Sequence, residues 1–231
     1  MDSNTTTVIV VRHGERIDET CEADAWYTRT PENRQDDPEI TQRGHAQARA
    51  AGPILADLLQ QYQPQPDVVH CSTLQRCLET ATSMTMAANI HLPIQPVNGL
   101  SACAAAVARA GQESFPYLPA DAIEAICQPL AVHPSLATPI GFLATIADLA
   151  TSQAGGVLLT FAHREAIRDL KQLAATNSDV EHHPELAVKM HHTPPYCAIA
   201  IFEYSARNDS WCFKDQLELP AELVSRERRR R

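Results

Sequence analysis

A short apolar run, Thr7-Val8-Ile9-Val10-Val11, leads directly into Arg12-His13-Gly14-Glu15-Arg16. An uninterrupted β-branched run of this length favours a strand buried on both faces, as in a parallel sheet covered by helices. Open sheets of that kind bind ligands at the carboxyl ends of their strands, and His13 is delivered there. Gly14 lets the backbone turn sharply and allows a ligand close to the main chain. Arg12 and Arg16 flank the imidazole with planar cations that match phosphate oxygens. A neutral imidazole between two guanidiniums is a nucleophile suited to phosphorus.

The rest of the chain alternates strands with helices. Residues 7–11 form the first strand, and 17–40 read as a long polar loop near the site. Thr41 is a helix N-cap followed by Ala46, Ala50, Ile54 and Leu58 at helical spacing, with Pro53 expected to kink or divide that helix. Asp67 to Cys71 is a second strand, Leu74 to about Ala88 a helix, and Leu92 to Val97 a further strand. Residues 98–138 carry an alanine-rich piece and then Pro116, Pro119, Pro129 and Pro134, and read as an insertion capping the site. A helix over 139–152, a buried strand over 156–161 and a helix over 163–175, opening at His163, come next. A polar loop over 177–196 and two pairing strands, about 197–204 and 211–218, close the fold. The alternation implies an α/β sandwich with a mainly parallel sheet, in a single domain of about 1–225.

Charge narrows the partners. The net charge is −9, yet the last six residues hold five arginines and one glutamate; the preceding 225 hold 14 basic and 27 acidic side chains. An acidic body is a poor nucleic-acid surface, so arginines kept beside His13 point to local anion binding. The tail, 226–231, reads as a solvated basic terminus, with a nuclear-import or acidic-partner segment as the alternative. No apolar stretch reaches the ~20 residues of a membrane span, and residues 1–7 lack the pattern of a signal peptide. Seven cysteines without framework spacing fit a reducing compartment, and Cys71 and Cys77 read as packed thiols. The expectation is a cytoplasmic protein with no nucleic-acid or membrane partner; oligomeric state is not encoded legibly.

Three further segments follow the first motif in order: Ile40-Thr41-Gln42-Arg43-Gly44 with Gln47-Ala48, then Cys71-Ser72-Thr73-Leu74-Gln75-Arg76 with Glu79-Thr80-Ala81, then Thr160-Phe161-Ala162-His163. Together with Arg12-His13-Gly14 they resemble the histidine phosphatase, or phosphoglycerate-mutase-like, superfamily. Ile17-Asp18 and Thr193-Pro194-Pro195-Tyr196-Cys197 bring the chain nearest to its protein-tyrosine-phosphatase-like branch, the suppressor-of-T-cell-receptor-signalling proteins. The resemblance implies a three-layer α/β sandwich. It also implies a metal-independent phosphomonoester hydrolase without a cofactor, acting on a phosphorylated small molecule or phosphoprotein. His13 would carry a phosphohistidine. Arg12, Arg16, Arg76 and a protonated His163 would bind the phosphate, with Arg12 and His163 also serving catalysis. Glu15 would pair with a nearby arginine.

One element departs from the family. The acid expected after the third strand falls at Ala102, in Val97-Asn98-Gly99-Leu100-Ser101-Ala102-Cys103. Glu113 is the nearest later carboxylate able to fold back as a general acid, with Asp121 beyond it. An alcohol leaving from phosphorus without a donor must depart as its anion, so aryl phosphates should be favoured. The same gap keeps open a phosphate-binding member with little turnover, serving as a sensor or interaction module; a phosphoglycerate mutase is a third reading. His182-His183 and His191-His192 form no supported metal site, since adjacent loop histidines point apart.

Overall fold

The β-branched run becomes β1 (Thr5–Arg12), buried along all but its first residue. A strand buried on both faces must be covered on both, and each fully enclosed Val or Ile contributes roughly 1.5–3 kcal/mol. The protein is described as a computed structural model over residues 5–101, 118–136, 141–175 and 184–224. Its strands β1, β2 (Val69–Ser72), β3 (Ile94–Val97), β4 (Val157–Ala162), β5 (Ile199–Ser205) and β6 (Ser210–Leu217) form one sheet ordered β3-β2-β4-β1-β5-β6. The first four in that order run parallel. The last two turn back antiparallel, β5 on β1 and β6 on β5.

Helices α1 (Ala23–Arg29), α2 (Gln42–Leu59), α3 (Gln75–Ala87), α4 (Ala120–Cys127), α5 (Phe142–Ser152), α6 (Arg164–Ala174), α7 (Pro184–His191) and α8 (Ala221–Val224) complete the described elements. The period of two in β1 divides the core. Ile9 and Val11 pack with Leu55 of α2, Leu78 and Met84 of α3 and Ile123 of α4. Val8 and Val10 pack with Ile146 of α5, Ile167 and Leu170 of α6 and Met190 of α7. Two helical layers enclose the sheet, the expected three-layer α/β sandwich.

The sheet order positions the site. The chain leaves β1, crosses by α2 to β2, and β4 later fills the place between them. The carboxyl ends of β1, β2 and β4 therefore lie side by side, with Arg12 opposite Ala162 and Cys71 opposite Phe161.

Several local expectations are corrected. The polar stretch 17–40 is not all loop: it holds 3-10 turns at Ile17–Glu19 and Glu32–Arg34 and the helix α1, seated by buried Ala23 and Trp26 one turn apart. Pro53 does not divide α2; it sits exposed inside a continuous helix, so the donor it lacks falls on the solvent side. The stretch 177–196 contains α7, started by a proline at its first position and held by buried Met190. Within 98–138, residues 118–136 join the body: Ile123, Cys127 and Leu130 enter the core, and Val132 and Leu136 bridge to Ile94 and Val97 of β3. Ala102, Glu113, His182, His183 and the tail lie outside the described residues. Among the described residues, no helix is long and apolar enough to cross a membrane.

Candidate active site

His13 follows the last residue of β1, its amide donating to the Ala162 carbonyl at the end of β4 (3.2 Å). Its ring is buried, and Nδ1 lies 2.8 Å from the Gly14 carbonyl oxygen. A carbonyl oxygen can only accept, so Nδ1 carries the proton and Nε2 keeps the lone pair. Burial, then Arg76, His163 and Arg12, hold the ring's pKa well below the usual histidine value. At neutral pH this is a neutral imidazole with a defined tautomer.

His163 sits at the N-cap of α6 with its ring centroid 5.5 Å from that of His13. Its Nε2 is 3.0 Å from Ser72 Oγ, at the end of β2. Burial first, and then Arg76, Arg16 and Arg12, push its pKa well down, so it too is neutral.

The arginines differ in how they are held. Arg12 is 3% exposed, donates from Nη1 to the Pro194 carbonyl (2.6 Å) and lies over the Tyr196 ring, with Cζ 4.2 Å from its centroid. Arg76 lies in the first turn of α3, equally buried, with Nη1 3.5 Å from Asp37 Oδ1. Its Nε is buried with no hydrogen-bond partner among the described residues. An unmet buried donor costs about 1–3 kcal/mol, a cost that an incoming anion would remove. Arg16 is less enclosed, pairing with Asp18 and standing 3.8 Å from Glu19. It is still near enough to act on His163.

Backbone contacts lock the motif in place. A Cβ on Gly14 would sit 2.8 Å from the Gly44 carbonyl oxygen, and one on Gly44 only 2.6 Å from that of Glu15. Gly14 is thus explained by the start of α2 pressing against it, and it is not among the glycines with a positive φ. The Gly14 amide donates to Thr80 Oγ1 (2.9 Å) and the Glu15 amide to Gln47 Oε1 (3.0 Å). Glu15 pairs with an arginine as expected, Arg43 at 3.7 Å, and accepts from Thr41 Oγ1 at 3.2 Å. The segments quoted from the sequence meet around one loop.

Three residues of the site escaped the sequence reading. Tyr196, noted only for its loop, lies 6.1 Å from His13 between ring centroids and donates from its hydroxyl to Glu19. Asp37 accepts the Gln75 amide at 2.8 Å as well as holding Arg76, which steers the first turn of α3. Ser72 lay inside a quoted motif without a role. Glu113 lies outside the described residues, and Asp121 is exposed on α4. Among the described residues, no group of three or more histidine, cysteine or acidic side chains could hold a metal ion, and His192 instead faces Glu218 at 3.0 Å.

Residues 8–108 match the family model described as histidine phosphatase superfamily, branch 1. No curated protein matches the chain. Among solved structures, a phosphoglycerate mutase from Bacillus anthracis str. Sterne is 14% identical with a TM-score of 0.53, over 93% of each chain. The ecdysone phosphate phosphatase of Bombix mori, in complex with tungstate, is 17% identical with a TM-score of 0.49, over 94% of each. A phosphoserine phosphatase variant from Entamoeba histolytica, in complex with phosphoserine, is 15% identical with a TM-score of 0.47, over 91% of this chain and 96% of that one. At 14% identity the likeness to the mutase is one of fold alone. Residues 8–108, the stretch that delivers Arg12, His13, Arg16 and Arg76, belong to the histidine phosphatase superfamily.

Proposed function

We propose that this chain is a phosphomonoester hydrolase that works through a phosphohistidine at His13. The observation that carries the reading is the committed tautomer: with Nδ1–H held by Gly14, the lone pair on Nε2 is the one free to attack. In the first step an Nε2–P bond forms and the ester P–O bond breaks, the alcohol's oxygen leaving as its anion and taking its proton from solvent. Water then attacks phosphorus, freeing inorganic phosphate and returning the neutral ring. Arg12, Arg76 and Arg16 would hold the phosphoryl oxygens, and electrostatic stabilisation of this kind is commonly the largest part of such catalysis. A bound phosphate dianion would also oppose the shift on His163, drawing a proton onto it for the transfer.

Substrate preference follows from Ala102. A positioned acid is typically worth ~10²–10⁴ in rate, and alkyl or sugar alkoxides depend on it most. A phenol ionises near pH ~10, as tyrosine does, and leaves without help. Aryl phosphates, phosphotyrosine among them, are therefore the favoured class, in keeping with the likeness to the tyrosine-phosphatase-like branch through Ile17-Asp18 and Tyr196. If Glu113 supplies the proton, Glu113→Gln will slow alkyl substrates selectively. The gap at Ala102 also favours one second reading, a phosphate-binding protein with little turnover.

Steady-state kcat/KM for matched aryl and alkyl phosphates, with His13→Ala as control, tests both statements. The expected result is hydrolysis lost with His13 and an aryl advantage above about tenfold, at the low end of what an absent acid costs. Equal turnover of both classes, unchanged by Glu113→Gln, would sink the aryl preference. Turnover no greater than the control's would leave the binding reading in its place.

A further inference from the structure

A cavity of about 420 Å³ lies along α6, beginning at Arg164, the residue after His163. Arg164, Arg168 and Lys171 line it from one face of α6, and His191 and His192 line it from the end of α7; among the described residues no carboxylate lines it. In a chain of net charge −9, three cations turned to one cavity are a local exception. The cavity shares its wall with the catalytic site. Arg164 directly follows His163, and Pro194, which also lines the cavity, gives its carbonyl to Arg12.

Its cations divide the work. Lys171 is buried, and its Nζ donates to the carbonyls of Lys189 (2.5 Å) and His192 (3.0 Å) and to Gln216 Oε1 (2.6 Å). All three donors are thus spoken for, so Lys171 fixes the wall and supplies charge. Burial lowers its pKa to about 8, which leaves it mostly protonated at neutral pH. Arg164 and Arg168 are more exposed. Among the described residues each pairs with its chain neighbour, Glu165 at 2.6 Å and Asp169 at 3.4 Å, with the side chains 42% and 67% exposed. Exposed pairs of this kind hold weakly and are readily exchanged for a better-placed anion.

We infer that this cavity is a subsite for a second anionic group, a carboxylate or a phosphate, carried by the same molecule whose phosphate occupies the His13 site. The inference rests on the phosphate-binding role of that site. The substrate class narrows accordingly to phosphomonoesters that bear another anion at the end of a spacer.

The test uses three phenyl phosphates whose para arm ends in a carboxylate, a phosphonate or a carboxamide. Calorimetry on His13→Ala protein reads affinity without turnover. Either anionic arm should bind at least about fivefold tighter than the carboxamide, an advantage that shrinks with added salt. Adding Arg164→Gln and Arg168→Gln should erase it, and a gain from only one anionic arm would say which group is taken. The same ratios, read as kcat/KM with the unaltered chain, give an independent reading should the His13 variant fold poorly. Equal affinities for all three compounds, or an advantage that survives loss of both arginines, would overturn the subsite. Tighter anionic binding without any turnover would keep the subsite and overturn the hydrolase.

Discussion

Burial acts on a histidine nucleophile by removing water from its path and by penalising the imidazolium that cannot attack. At His13 burial is the main cause and Arg76, His163 and Arg12 add to it. The acid limb of kcat/KM should therefore lie below pH ~6.5, the ordinary histidine value. A limb centred at or above that value would contradict the assignment. Stability carries the same sign. The unfolded ring takes up its proton near pH ~6.5 and the folded ring does not, so the contribution is complete above that pH and is lost as pH falls toward the lowered folded value. Replacing the nucleophile with alanine should cut turnover by more than about 10³ while the protein stays folded; activity above about a tenth of the parent's would exclude a nucleophilic role. Arg76→Ala removes hydrogen bonds to a charged ligand worth about 1.5–3 kcal/mol, so vanadate affinity should fall about tenfold or more. Unchanged affinity would put Arg76 outside the pocket. His13, Arg12, Arg76 and His163 were legible because each stands within a local motif at a strand end. Asp37 and Tyr196 were not, because the partners that give them meaning lie 39 and 177 residues away, at Arg76 and Glu19.

Elements meet at the His13 loop through contacts too close for any side chain. Gly44→Ala would set a methyl group 2.6 Å from the Glu15 carbonyl oxygen, so the backbone there would have to shift. Overpacking typically costs about 1–3 kcal/mol, so the urea midpoint should drop and activity with it. A variant as stable and active as the parent would show that the two loops are not pressed together. A second tie joins α3 to the segment before α2, where Glu79 accepts the Ile40 amide at 2.8 Å and the Gln75 side chain at 2.8 Å. Burial above all raises the Glu79 pKa from 4.5 to about 7. Folding thus favours its protonated form, so its contribution is present at pH 4.5 and below and is lost as pH rises through 7. Glu79→Gln should flatten that part of the stability profile between pH 5 and pH 8, measured by urea unfolding; an unchanged slope would mean that Glu79 ionises freely. The helices with clear apolar spacing, α2, α3, α5 and α6, were readable in advance. Helices α1 and α7 were hidden because short amphipathic pieces in polar surroundings show too few apolar residues to set a period.

Across the whole molecule, the alternation of strands and helices was enough to predict a mainly parallel sheet between two helical layers. The order of strands was not, because neighbours such as β1 and β4 are joined by contacts between residues about 150 positions apart, as the Thr160–Ile9 hydrogen bond shows. That order brings three strand ends together and so makes the site. Because the proposed reaction draws on His13 and the arginines alone, hydrolysis is expected to persist in EDTA. Activity lost to the chelator and restored by one divalent ion would overturn that expectation. The central claim is a covalent intermediate, and rapid-quench kinetics with a radiolabelled aryl phosphate reaches it directly. The label should appear on His13, be absent from His13→Ala protein, and leave with a rate constant no smaller than kcat. Steady turnover with no label on His13, or a label that leaves more slowly than kcat, would contradict the account.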